Sequence, residues 1–151
     1  MLKKQLQTEL KDSMLAKDTE RTSTLRLLLS AITYYEIQKG GAGYEATDED
    51  VLAVIGREVK QRNDAIEQFM VAGREELAAK ELKEKAILEV YLPEQMTEED
   101  IRRLVEDAVK KTGASTPQDM GKVMGVLMPQ VKGKADGGLV SKIVKESLTQ
   151  T

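Results

Sequence analysis

The sequence predicts an all-α chain, and three observations carry that reading. Leu, Ala, Glu, Lys, Gln and Met dominate its 151 residues, while aromatics make up 3%, with no Trp and one Phe. That composition favours helix over strand. Apolar residues recur at three- and four-residue spacing along most of the length, the period of a helix with one buried face. Thr-x-x-Asp runs stand at 47–50, 97–100 and 116–119. Each is the pattern of a capping box: the hydroxyl takes a free amide at a helix start, and the acid three residues on returns the bond. Together these features predict an N-terminal bundle of about four helices over 1–93 and a small three-helix C-terminal domain over 94–151. The boundary lies at Pro93, which stops a helix by ring clash and by its missing donor.

Taken in order, the first helix covers 1–17, with Leu2, Leu6, Leu10 and Met14 in one stripe. Lys17-Asp18 is the turn, and Asp18 caps a second helix over 19–38. Its inner face is Leu25, Leu28, Leu29, Ile32 and Tyr35. The run Gly40-Gly41-Ala42-Gly43 ends it in a loop. Thr47 opens a third helix, 48–71, on Val51, Ile55, Val59, Ile66 and Met70, whose middle from Lys60 to Asp64 is polar all round. Gly73 separates it from a fourth, 74–92, resting on Leu77, Leu88 and Leu92 with Ala78 and Leu82 beside them. Beyond Pro93 a fifth helix spans 98–112 and ends at Gly113. Pro117 begins the sixth, where its missing N–H costs nothing, and Pro129 is expected to end or kink it. The seventh spans 137–149.

Composition also narrows the chemistry. With no Cys and no His there is no disulfide, no Cys or His zinc site and no nucleophile that depends on either. The longest apolar run, Val51–Ile55, falls far short of the roughly 20 residues of a membrane span. The start MLKKQLQTELKD is too polar for a signal peptide. A cytoplasmic chain without a membrane segment is the expectation. No phosphate loop, dinucleotide fingerprint or spaced acid pair stands out, so no catalytic residue, cofactor, metal or small-molecule substrate is expected. The net charge of −3 is uneven. Residues 1–94 sum to −4, whereas 108–151 hold seven basic and three acidic residues. An acidic whole argues against indiscriminate nucleic-acid binding and leaves room for a basic face in the last third.

The stretch from Met120 to Leu148 reads as two helices joined by a glycine-rich corner. Gly133 is expected at positive φ, and Asp136, followed by Gly137, is expected to cap the last helix. Lys132, Lys134 and Lys142 surround that cap, with Lys122 joining them. The helix start could receive an anion such as an RNA phosphate. Equally, the corner could be a tight turn whose own Asp136 fills the cap. Met120, Met124 and Met128 form a stripe that either meets a partner helix or packs in the core. Gly121 and Gly125 beside it favour the core, by letting a neighbouring backbone approach. Arg21, Arg26, Arg57, Lys60 and Arg62 are interleaved with Glu20, Glu58 and Asp64, which reads as a solvated, salt-bridged surface. Arg26, inside the run TLRLLL, is expected to meet a carboxylate at the bundle edge.

The run MGKVMGVLMPQVKGKADGGLV (120–140) resembles the GatB/YqeY family. So do RTSTLRLLLSAITYYEIQKG (21–40), EVKQRNDAIEQFMVAGREELAAKE (58–81) and YLPEQMTEEDI (91–101), in that order. The family comprises stand-alone YqeY-like proteins and the tail domain of the B subunit of glutamine-dependent tRNA amidotransferase. At this length the chain resembles the stand-alone form. The resemblance implies a non-catalytic module that binds tRNA or associates with that carbon–nitrogen ligase, whose glutamine-dependent chemistry lies in other parts. Lys122, Lys132, Lys134 and Lys142 are then the residues expected to face RNA. The alternative is a protein–protein adaptor that uses the Met-rich C-terminal helices or the acidic N-terminal bundle.

Overall fold

The computed structural model describes residues 1–149, which form seven α-helices and one short 3₁₀ turn, with no strand among them. The chain is all-α. It divides into two compact units, Met1–Leu92 and Pro93–Thr151.

The first unit contains α1 (Leu2–Leu15), α2 (Thr19–Gly40), α3 (Asp48–Val71) and α4 (Glu75–Glu89). Its core is aliphatic: Leu6, Leu25, Leu28, Ile32, Val51 and Ile55 are almost fully buried, and Leu88 closes the cluster. Asp18 caps α2 by accepting from the Arg21 amide at 3.2 Å. Thr47 and Asp50 form the reciprocal box at the start of α3, with bonds of 3.2 and 3.0 Å. Asp50 does more than cap. It accepts from the Tyr35 hydroxyl at 2.9 Å, the Lys39 ammonium at 2.7 Å and the Tyr44 hydroxyl at 2.6 Å. The Lys39 ammonium also lies 5.5 Å from the Tyr35 ring centre and 5.4 Å from that of Tyr44, within cation–π range. One carboxylate thereby ties the end of α2, the glycine loop and the start of α3.

Two of the basic residues read as surface are built into the interior. Arg62 is 7% exposed. It donates to Glu58 Oε2 at 2.9 Å, one turn back, and to Glu84 Oε2 at 3.2 Å on α4. Burying a guanidinium requires such partners, and 60–64 is therefore not polar all round. Arg21, half-buried, donates to Glu9 Oε2 at 3.4 Å and to the Tyr91 hydroxyl at 3.1 Å. Tyr91 in turn donates to Glu9. Burial first, then the adjacent Glu9 carboxylate, pushes the Tyr91 hydroxyl well above the usual phenol range. Arg26 is exposed, and its guanidinium meets the Met14 sulfur at 3.7 Å instead of a carboxylate.

Several apolar positions also face out. Met14, Met70, Leu77 and Leu82 are all exposed. On α4 the inward line runs through Ala78, Glu81, Glu84 and Leu88, because Glu84 must reach Arg62, and this turns Leu77 and Leu82 to the outside. α4 is also shorter than its periodicity implied, ending at Glu89. No residue between 63 and 77 is buried, so the far end of the α3–α4 hairpin extends beyond the core.

The second unit contains α5 (Glu98–Thr112), a 3₁₀ turn (Pro117–Asp119), α6 (Met120–Val131) and α7 (Gly137–Thr149) around a separate core. Ile101, Val105, Val123, Leu127, Val140 and Val144 are buried to within 1%. Pro129 neither ends α6 nor marks its last residue: the helix runs on to Val131. Met120 and Met124 pack against this core, while Met128 is 40% exposed. Gly121 and Gly125 admit no neighbouring backbone: a Cβ built on either meets nothing within 4 Å. Close approach is therefore not the reason for glycine there.

Two expectations follow. Gly121→Ala and Gly125→Ala should each raise stability by about 0.5–1 kcal/mol, the usual cost of glycine inside a helix, measured by urea unfolding of the full chain. The second concerns Asp50, whose carboxyl is held well below the usual range by Lys39, then Tyr44 and the Thr47 amide. An acid with a depressed folded pKa lends stability that is present above its unfolded value, about 3.9, and lost as pH falls through the folded one. Asp50→Asn should thus melt below wild type at pH 7, and the gap between the two should narrow once the pH drops below about 4.

Candidate nucleic-acid interface

The basic corner is built between α6 and α7. α6 ends on Lys132, at φ −56° and ψ 122°, and Gly133 follows at φ 77°. The Val131 carbonyl accepts from the Lys134 amide at 2.9 Å and from the Ala135 amide at 3.1 Å. These angles and the first of those bonds match a type II turn, whose third residue must take positive φ and is best glycine. Asp136 Oδ1 accepts from the Gly138 amide at 3.2 Å, and the Asp136 carbonyl accepts the Val140 amide at 3.0 Å, opening α7. A carboxylate therefore already stands at the α7 start, where an external anion would sit. Gly137 begins α7 in open space and without positive φ.

The corner is also tied to the segment before α5. The Met96 amide donates to the Lys134 carbonyl at 2.8 Å, and Gln95 Nε2 donates to the Gly133 carbonyl at 3.1 Å. That pairing brings acids close. A shallow cleft of about 650 Å³ is lined by Lys134 together with Glu94, Asp100 and Gln130. Thr97 and Asp100 form a reciprocal box at the start of α5, and the Thr97 backbone amide leads the interactions that hold Asp100 low.

Lys122, Lys132, Lys134 and Lys142 are all exposed. The helices do not gather all four. Lys122 lies at the opposite end of α6 from the corner, ten residues before Lys132, or about 15 Å along the axis at 1.5 Å per residue. There it faces Asp119, a carboxyl held low by the Ser115 and Thr116 amides and, more weakly, by Lys122 itself. At this start the box is one-sided. Asp119 accepts from the Thr116 amide at 3.3 Å, while its own amide donates to the Thr116 carbonyl. Lys142 sits on α7 roughly one and a half turns beyond Gly137, at 3.6 residues per turn. The site is thus two lysines on the corner, one on α7 and one remote.

Sequence reasoning did not find the Asp50 cluster or the Arg62 clasp. Tyr35 and Lys39 at helical spacing were a faint signal for the first. The second had none, because Glu84 lies 22 residues from Arg62.

A family model described as Yqey-like protein matches residues 3–148. The chain belongs to the YqeY-like family. The protein named "Altered inheritance of mitochondria protein 41, mitochondrial" from Pyrenophora tritici-repentis is 31% identical over 144 residues, covering 93% of this chain and 77% of that protein. The protein of the same name from Saccharomyces cerevisiae strain YJM789 is 29% identical over 126 residues, 80% of this chain and 66% of its own length. A local match reaches a glutamyl-tRNA(Gln) amidotransferase subunit of Methanobrevibacter smithii, 40% identical over 57 residues, 35% of this chain and 9% of that protein. Among the described residues no helix is long and apolar enough to cross a membrane.

Replacing Gly133 by Ala should destabilise the protein by about 1 kcal/mol, the penalty for placing a Cβ in the left-handed region. The change should appear as a lower urea midpoint at unchanged slope.

Proposed function

We propose that this protein is a non-catalytic tRNA-binding module, associated with tRNA amidation, and that its C-terminal unit contacts the phosphate backbone. The observation that carries the reading is the local likeness to the glutamyl-tRNA(Gln) amidotransferase subunit of Methanobrevibacter smithii. It is supported by the basic surplus of residues 108–151, with seven basic residues against three acidic. Recognition in this reading is electrostatic. Residues 95–151 contain no Phe, Tyr or Trp, so bases have no aromatic face to stack on. Phosphate charge and RNA shape remain as the recognised features. Lys132 and Lys134 on the corner and Lys142 on α7 form the core of the footprint, and Lys122 extends it along α6. Glu94 and Asp100 beside Lys134 limit it on the α5 side and keep affinity modest. The module performs no bond-making step. Such a role fits the cytoplasm expected from composition and equally the mitochondrion in the names of the fungal relatives.

The test is a titration of labelled tRNA at two salt concentrations. Removing one lysine–phosphate pair should lower the slope of log affinity against log salt by roughly one. The triple variant Lys132→Ala, Lys134→Ala, Lys142→Ala should therefore bind more weakly and with a slope flatter by up to about three, while keeping its helical circular dichroism. A variant that retains both affinity and slope removes the corner as the RNA-binding face.

A further inference from the structure

The α1–α2 corner of the N-terminal unit carries a groove of about 700 Å³, lined by Met14, Lys17, Thr19, Ser23, Arg26 and Leu27 together with Thr22. That volume falls in the range of ligand sites. Its apolar part is open to solvent: Met14 is 48% and Leu27 53% exposed, and the adjoining Leu15 is 83% exposed. Its charged part is wholly basic, since Lys17 and Arg26 line it and no acid does. Arg26 rests on the Met14 sulfur, a weak acceptor that leaves the charge uncompensated. Neighbouring acids are engaged elsewhere. Asp18 caps α2, Glu20 pairs with Lys83 at 3.7 Å, and Glu9 holds Arg21 and Tyr91. Two cations beside exposed apolar side chains run against the charge of −4 over residues 1–94.

A second observation singles out Lys17. It has φ 57°, the one positive-φ residue other than glycine among the described residues. For an L-residue that conformation costs about 1–2 kcal/mol. The corners after α2, α3, α5 and α6 place Gly41, Gly73, Gly113 and Gly133 at positive φ. At the α1–α2 corner a lysine stands where glycine would be easier, which points to a use for its side chain.

We propose that this groove docks an acidic amphipathic segment of a partner protein. The segment's apolar side chains lie against Met14 and Leu27, and its carboxylates meet Lys17 and Arg26, as in helix-in-groove recognition. Charge complementarity selects this occupant: acid side chains answer both cations, and the exposed thioether and isobutyl groups take its apolar face. A phosphate backbone would satisfy the cations and leave those groups in water, with no aromatic in the groove for its bases.

The probe is a fluorescently labelled model helix of about fifteen residues, the length at which isolated helices begin to hold. It carries Leu at i, i+3, i+4 and i+7 and Glu elsewhere, and its counterpart carries Lys for Glu. The Glu helix should bind the full chain, and the Lys helix should not. The double variant Lys17→Glu, Arg26→Glu should weaken the Glu helix about tenfold or more and gain affinity for the Lys helix. Lys17→Gly supplies a control independent of folding, since it should raise the melting temperature and still weaken the Glu helix. Equal binding of the two helices, or none by either, overturns the proposal. It is overturned too if the double variant loses tRNA affinity while the Glu helix stays unbound, which would make the groove a phosphate-binding face. Self-association of the full chain that Leu27→Glu abolishes would instead place a second copy there.

Discussion

The Asp50 carboxylate accepts from two tyrosine hydroxyls, one ammonium and one backbone amide, and the course of the N-terminal unit follows from keeping these groups together. The loop between α2 and α3 holds Gly41 and Gly43, both at positive φ, and has little apolar surface to pin it. Without a fixed anchor such a loop would let α3 start in several places. Asp50 removes that freedom by serving as cap and as crosslink at once. The start of α3 then sets where Val51, Val54 and Ile55 fall, and they form the floor on which Leu25, Leu28 and Ile32 of α2 pack. Few aromatics are available to build the core, so aliphatic side chains fill it and the few tyrosines supply polar ties at its edges.

How legible a feature was depended on how local its physics is. Capping boxes join residues three apart, so Thr47–Asp50 and Thr97–Asp100 could be read directly, and the starts of α3 and α5 with them. Helix existence was legible for the same reason, since the apolar repeat reports which face is buried. Arg62 was not legible, because its burial depends on a glutamate from another helix. Leu77 and Leu82 were assigned inward since a repeat cannot reveal that Glu84 claims the inner line of α4. Gly121 and Gly125 misled in another way. Glycine in a helix looks the same in sequence whether a neighbour presses against it or open solvent does.

The basic corner shows the same division. The turn is a local matter, and glycine after a helix followed by an acid carries enough information to describe it. Whether four lysines share a surface is not local. Their numbering spans a helix, a turn and part of a second helix, and the rise per residue alone carries Lys122 to the far end of α6. The acids that border Lys134 come from the segment before α5, some forty positions upstream, where composition totals over 108–151 do not look.

The α3–α4 hairpin divides at the Arg62 clasp. Below it, both helices contribute to the core. Above it, the two arms are exposed and meet chiefly each other. That upper part therefore has a freedom that the rest of the chain lacks, namely its length. Matched turns, about 3.6 residues on each arm, could be added or removed there without moving a core side chain, since the packing between the arms repeats along the axis. A mismatched change on one arm would shift register past Arg62 and turn Glu84 away. Variation in size among proteins of this fold can accumulate at the Gly73 end in paired steps, with the clasp marking where such change must stop.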